Sequence, residues 1–408
     1  MSANQVSTSD ALSEHYFKKM TQALCEAGLY YPSLVVDKVR LDSNLAAVKS
    51  ITEKGFDFRI VVKSLPSIPM LEYIMKSANT QRLMCFHMPF LRYLSEHISN
   101  ADVLMGKPMP IGNVESYYQF LNKQDEFKFN PEIQLQWLID SYARVKQYGQ
   151  LATKMKTVMR INLELDVGLH RGGFTNFEEF EDTLNYIKCH DYLTLSGMMG
   201  YEAHITKVPG FIGGPIKAFN NVCKLYKEFS DVIIKVMGSG ALDNLTLNTG
   251  GSSTYPLYEK PGLMNEISTA SALVKPTDFD VYTLDHHVPA AFIATPVLKI
   301  IKDPELPMVT TFSKLMHRIG LLPRKVCFIY GGNWLAKPCY PAGSKRANIL
   351  GHSSNQEMYE LKETDNIDVD DFMFFRPTQS EAVFLQFGDI AVYEDGKIVD
   401  MWPVFTNK

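Results

Sequence analysis

Between residues 33 and 250 the chain alternates short apolar runs with longer stretches whose apolar positions fall three and four apart. These are the signatures of buried strands and amphipathic helices. Ser33–Val36, Arg59–Val62, Arg82–Phe86, Asp102–Met105, Val158–Leu165, Leu193–Met198 and Leu245–Leu247 read as strands. Helices are predicted at Asp42–Glu53, which opens on an Asp/Ser start signal and stops at Gly55, and at Met70–Ala78, Pro89–His97, Pro131–Gly149, Phe177–Cys189 and Gly214–Ser230. Asp231–Met237 fits either a strand or a continuation of the helix before it. Repeated strand–helix units with short connections require parallel strands, each covered by its helix. About eight such units over about 220 residues predict an α/β fold built on a closed (β/α)8 TIM-type barrel, with an open doubly wound sheet as the alternative. No GxGxxG follows the first strand, which argues against a dinucleotide site.

Past about residue 275 the rhythm changes. Ala291–Ile301, Lys325–Tyr330, Met358–Leu361, Asp371–Phe375 and Ala382–Phe405 are strand-like, with Gly, Pro and Asp between them, and Glu394-Asp395-Gly396 marks a hairpin. The expected division is a helical leader over 1–29 that packs with the β domain, a barrel over 30–275, and a C-terminal, mostly-β domain over 276–408.

The charge balance of 41 basic against 45 acidic residues, net −4, offers no basic stripe, so no nucleic-acid partner is expected. The chain start lacks a basic segment followed by an apolar one, and Val288–Ile301 is too short and too interrupted to span a bilayer, so no membrane partner is expected either. Six cysteines without a CxxC pair suit reduced thiols in the cytoplasm.

Catalytic groups of a parallel barrel sit where its strands end. Arg59–Val62, taken as the second barrel strand, runs directly into Lys63. A lysine at an apolar strand end is partly desolvated, which favours the neutral amine and makes it a competent nucleophile toward a carbonyl; the competing reading is a strand-end lysine reaching solvent. Val158–Leu165 leads into Asp166-Val167-Gly168-Leu169-His170-Arg171, placing Arg171 at the mouth as a fixed cation or as a loop partner of Asp166. Leu193–Met198 leads to Tyr201, Glu202 and His204, three groups able to transfer protons. The run Asn248-Thr249-Gly250-Gly251-Ser252-Ser253-Thr254 exposes backbone N–H groups and hydroxyls, as a phosphate cradle does and as flexible loops also do. Together, a lysine, an arginine and a phosphate loop are what a pyridoxal phosphate site needs.

The stretches YPSLVVDKVRLDSNL (31–45), RIVVKSLPSIPML (59–71), LELDVGLHRGGF (163–174), LSGMMGYEAHI (195–205), NTGGSST (248–254), EISTASALVKPTDFD (266–280) and GDIAVYEDGKIVDMWPVF (388–405) resemble, collinearly, the fold-type III pyridoxal phosphate enzymes. These have an alanine-racemase-like barrel, and the resemblance is strongest to the D-threonine aldolase, D-serine dehydratase and amino acid deaminase/aldolase branch. It implies that Lys63 binds the cofactor's aldehyde and that Arg171 contacts its phenolic oxygen. It further implies that Thr249, Gly250, Gly251, Ser252 and Ser253 hold the phosphate and that Tyr201 stands beside the cofactor, with Glu202 and His204 as further catalytic candidates.

The sequence departs from the aldolase pattern twice. Glu202 stands where a histidine base follows the tyrosine. The C-terminal metal motif becomes Arg376-Pro377-Thr378-Gln379-Ser380-Glu381, leaving Gln379 and Glu381 as weak candidates for a hard cation such as Mg2+ or Mn2+. The resemblance implies a lyase acting on D-configured β-hydroxy amino acids, by retro-aldol cleavage or by dehydration and deamination, in a homodimer. A pyridoxal phosphate-dependent amino acid racemase is the alternative, and a non-catalytic cofactor carrier a third reading. The loops 106–130 and 332–352 carry no legible substrate motif.

Overall fold

In the computed structural model, which describes residues 12–123, 128–306, 310–348 and 350–406, the first apolar run forms strand β1 (Ser33–Asp37), buried along its whole length. Residues 1–11 of the expected leader lie outside the described residues. Strand β1 does not open the barrel, as the alternating pattern suggested. It pairs antiparallel with β10 (Ala291–Lys302) and parallel with β16 (Ile390–Glu394). A continuous apolar run reports burial on both faces, and the centre of either sheet satisfies it equally.

The closed barrel consists of β2 (Asp57–Val61), β3 (Arg82–Cys85), β4 (Asp102–Met105), β5 (Leu135–Ile139), β6 (Met159–Leu165), β7 (Leu193–Gly200), β8 (Thr246–Thr249) and β9 (Glu266–Thr269), all parallel and sealed by the β2–β9 pairing. Lys63 therefore follows the first barrel strand in chain order, not the second. Strand β5 lies inside the stretch expected to be one long helix, between the helical turn Pro131–Gln134 and the helix Tyr142–Met155. Its five residues are all buried, so LQWLI shows no period-2 pattern to distinguish it from a helical core. Residues 231–237 continue the helix Gly214–Met237, and β9, which the alternating pattern did not single out, completes the barrel.

Alternate residues of each strand face the lumen. The lower lumen is polar. Gln136 on β5 donates to Thr246 on the non-adjacent β8 at 3.1 Å and accepts from Asn162 at 3.1 Å. Arg59, 0% exposed, donates from Nε and Nη2 to Glu266 at 2.6 and 2.9 Å. Its Nη1 donates to the carbonyls of Leu83 and Asp102 at 2.9 and 2.8 Å. One guanidinium thus joins β2, β3, β4 and β9. Burial works against its charge, and Glu266 and Asp102 outweigh that penalty, so its pKa is raised. Above this girdle Met84, Leu104, Leu138 and Met199 form an apolar layer with Val61 and Phe86 against it, and the mouth lies beyond.

The described residues up to Ala46, with Leu273–Asp280 and His287–Val404, form one compact unit; Ala47–Ala272, Val281–His286 and the described residues from Phe405 form the other. The first unit is a nine-stranded sheet. Besides β1, β10 and β16 it contains β11 (Lys325–Ile329), β12 (Ala336–Tyr340), β13 (Lys345–Arg346), β14 (Met358–Leu361), β15 (Phe372–Pro377) and β17 (Lys397–Trp402). The hairpin read at Glu394-Asp395-Gly396 is the β16–β17 pair. The helix Glu14–Glu26, capped by Ser13, buries Phe17, Met20, Ala23 and Leu24 against Phe292, Tyr340 and Phe374. Among the described residues no helix is long and apolar enough to cross a membrane.

Removing one partner of the Arg59–Glu266 pair strands a buried charge. Glu266→Leu should cost about 3–5 kcal/mol in denaturant unfolding, whereas the double change Arg59→Met with Glu266→Leu should recover most of that loss.

Candidate active site

The turn Val62–Ser64 follows β2 directly and presents Lys63, half-buried, at the barrel mouth. Its Nζ lies 4.8 Å from the ring centroid of Phe86, which follows β3. Gly106, just past β4, makes room for that ring: a Cβ there would come within 2.2 Å of it.

Arg171 and Tyr201 meet, with the guanidinium carbon 5.1 Å from the tyrosine ring centroid. The other side of the contact reaches the loop after β8, since a Cβ on Gly251 would lie 2.8 Å from the Tyr201 ring. In that loop the Thr254 N–H donates to the Gly251 carbonyl and the Gly250 N–H to Glu202. The N–H groups of Gly251, Ser252 and Ser253 have no hydrogen-bond partner among the described residues. Three consecutive unpaired amides form an anion-binding nest.

Side chains tie this loop to the lysine turn. The Ser252 hydroxyl pairs with Thr269 at 2.8 Å and accepts from the Ala272 N–H at 3.1 Å, while the Ser271 hydroxyl donates to that of Ser64 at 3.0 Å. Ser252 therefore offers the mouth its amide, its hydroxyl being engaged at the end of β9. The Thr249 hydroxyl is likewise engaged, by Tyr258 at 2.7 Å.

Glu202 and His204, read in the sequence together with Tyr201, go to separate surroundings. Glu202 is 0% exposed and lies against the loop after β8, where burial raises its pKa. His204 is half-buried against Gly168; burial and then the nearby His170 lower its pKa. Its Nδ1 has no hydrogen-bond partner among the described residues. His170 itself pairs with Asp166 at 2.9 Å.

Sequence reasoning missed Glu164. It sits two residues beyond the lumen-facing Asn162 on β6 and so shares its inward face, at the mouth end of the strand. Burial, followed by the charge of Asp140, pushes its pKa up to about 7 against the opposing pull of Arg171. Strand alternation within LELD was the available signal. The contact of Phe86 with Lys63 had no counterpart in any motif.

Of the two weak metal candidates, Gln379 donates its amide to Asp278 at 2.9 Å, and Glu381 accepts from the Ser380 hydroxyl at 3.2 Å. Among the described residues no group of three or more His, Cys, Asp and Glu side chains is placed to hold a metal ion.

A parallel barrel with a lysine after one strand, an arginine–tyrosine pair after two others and an amide nest after a fourth, accompanied by a β-sheet unit, defines the fold-type III pyridoxal phosphate class. The chain belongs to the family described as alanine racemase, N-terminal domain, whose model matches residues 36–248, just over half its length. Among solved structures it is similar to D-threonine aldolase from Filomicrobium marinum, with 13% identity, TM-score 0.70 and coverage of 92% of this chain and 95% of that one. It is also similar to D-threo-3-hydroxyaspartate dehydratase from Delftia sp. HT23, with 12% identity, TM-score 0.66 and coverage of 91% and 97%. Alanine racemase from Clostridium difficile 630 gives 13% identity, TM-score 0.68 and coverage of 91% and 98%. At these identities the likeness is one of fold. No curated protein matches the chain in sequence.

Because Glu164 is shifted from 4.5 to about 7, the folded protein holds a proton there that the unfolded chain has released. Its contribution to stability is full below about 4.5 and is lost as pH rises through about 7. The thermal midpoint of the wild type minus that of Glu164→Gln should therefore fall between pH 5 and 8; a flat difference would place the Glu164 carboxyl in solvent.

Proposed function

We propose that this chain is a pyridoxal phosphate-dependent lyase acting on D-configured β-hydroxy amino acids. The observation that carries the reading is the placement of the Lys63 amine, the Arg171–Tyr201 pair and the nest over Gly251–Ser253 just past strands of one parallel barrel. These residues fit the cofactor's chemistry. Lys63 would bind its aldehyde, Arg171 its phenolic oxygen, and the three amides its phosphate. When bound, the cofactor supplies an electron-accepting ring that weakens the bonds to an amino acid's Cα.

The chain's own groups then govern which bond gives way. Tyr201, held between Arg171 and Gly251, has its ring fixed beside the mouth. Glu164, shifted to about 7, can hold or release a proton at neutral pH, the property required of a group that exchanges one with a substrate hydroxyl. His204, kept neutral by burial, is a second acceptor. Gln379 and Glu381 have no part in the proposal. The D-threonine aldolase and D-threo-3-hydroxyaspartate dehydratase neighbours support β-hydroxy substrates of D configuration. The alanine racemase neighbour keeps racemisation as the second reading.

Protein supplied with pyridoxal phosphate should gain an absorbance band near the visible edge that borohydride fixes onto Lys63, and Lys63→Ala should lose both the band and turnover. An unchanged band in that variant would refute the assignment. With D-threonine and D-serine, glycine plus an aldehyde, or a 2-oxo acid plus ammonia, identifies the lyase; the mirror-image amino acid identifies the racemase.

A further inference from the structure

Glu202 is the fully buried carboxyl group beside the mouth, hydrogen-bonded to Tyr258 and, at three points, to one short segment. The Thr254 hydroxyl donates to its Oε1 at 2.6 Å, the Gly250 N–H to its Oε2 at 3.3 Å, and the Thr249 hydroxyl to Oε2 at 3.4 Å. Gly250 and Thr254 bracket the three residues whose amides are unpaired. One carboxyl group therefore anchors both ends of the nest. The Gly250 backbone takes φ +81°, and a Cβ there would lie 2.9 Å from Ile267, so the loop has little room to settle elsewhere. With both oxygens engaged from below the loop and no exposed surface, Glu202 cannot reach a substrate without giving up these bonds.

We infer that Glu202 is a positioning residue. It holds the Gly250–Thr254 loop so that the Gly251, Ser252 and Ser253 amides converge on the cofactor's phosphate, and it takes no part in proton transfer. The inference rests on the proposed reading of that loop as the phosphate site, and it replaces the catalytic role that the sequence motif suggested for Glu202.

The chemistry also predicts which substitution is tolerated. A glutamine can keep its carbonyl on the Gly250 N–H and turn its NH2 to the Thr254 oxygen, whose own hydrogen has the Gly251 carbonyl 3.4 Å away as an alternative acceptor. Alanine keeps neither anchor.

The test compares binding of pyridoxal phosphate with that of pyridoxal, which lacks the phosphate, by absorbance titration of the full-length wild type and of Glu202→Ala, Glu202→Gln and Thr254→Val. Glu202→Ala should bind pyridoxal phosphate about tenfold more weakly or worse, and bind pyridoxal unchanged. Thr254→Val should lose affinity in the same direction, by less. Glu202→Gln should stay within about threefold of the wild type in pyridoxal phosphate affinity and should turn substrate over. Should Glu202→Ala not fold, Thr254→Val and Glu202→Gln decide the matter. A wild-type ratio of the two affinities in Glu202→Ala, or in Thr254→Val in its place, would overturn the inference. So would a Glu202→Gln protein that binds the cofactor normally and has lost turnover, the mark of a proton-transfer group. Wild-type protein that takes up no pyridoxal phosphate at Lys63 would overturn the proposed function along with this inference, whereas the variant outcomes overturn this inference alone.

Discussion

The barrel depends on a cation placed where water cannot reach it. All three nitrogens of the Arg59 guanidinium donate, to Glu266 and to carbonyl and carboxylate oxygens of β3 and β4. Desolvating a guanidinium is expensive, and only a complete set of partners in good geometry offsets it. That pairing specifies register: a slip of β9 by one residue would turn Glu266 out of the lumen and leave the buried charge without its closest partner. The seam at which the parallel sheet closes is thus fixed by an ion pair, and the relative heights of the strand ends follow from it. Lys63 and the end of β9, joined through Ser64 and Ser271, owe their alignment to that closure.

The mouth divides its polar groups by task. Those that face the opening are few and held from the side: Lys63 by an aromatic ring, Arg171 by a second, and the loop amides by hydroxyl groups at the end of β9. Two carboxyl groups there have pKa values raised by burial. Glu164 stands at the top of the lumen, where burial and Asp140 raise its pKa to about 7. Glu202 is clasped on both oxygens by the loop after β8.

What the sequence made legible follows from how each signal arises. Helices with polar outer faces, such as Phe177–Lys188 with its Asn176 cap, were readable because one face meets water. Strands β5 and β1 were misjudged because burial on both faces erases the alternation that would have assigned them. Strand-end reasoning drew attention to Lys63, Arg171, Tyr201 and the glycine loop, since glycines and a terminal lysine are local features. It could not separate Tyr201, Glu202 and His204, because which way each side chain turns is decided by contacts with residues such as Gly251, Thr254 and Gly168, far along the chain or in other loops. The Phe86 ring over Lys63 belongs to the same category, resting on a missing side chain at Gly106.

Strand β1 has a further consequence in the order of synthesis. Its sheet neighbours are β10 and β16, the second ending at Glu394, whereas all eight barrel strands are complete by Thr269. At ribosomal speeds of roughly 5–20 residues per second, Ser33–Asp37 wait on the order of twenty to seventy seconds for their last neighbour. The first strand among the described residues is among the last to find its place, and its apolar centre, Leu34-Val35-Val36, must be shielded from other nascent chains until the final hairpin arrives.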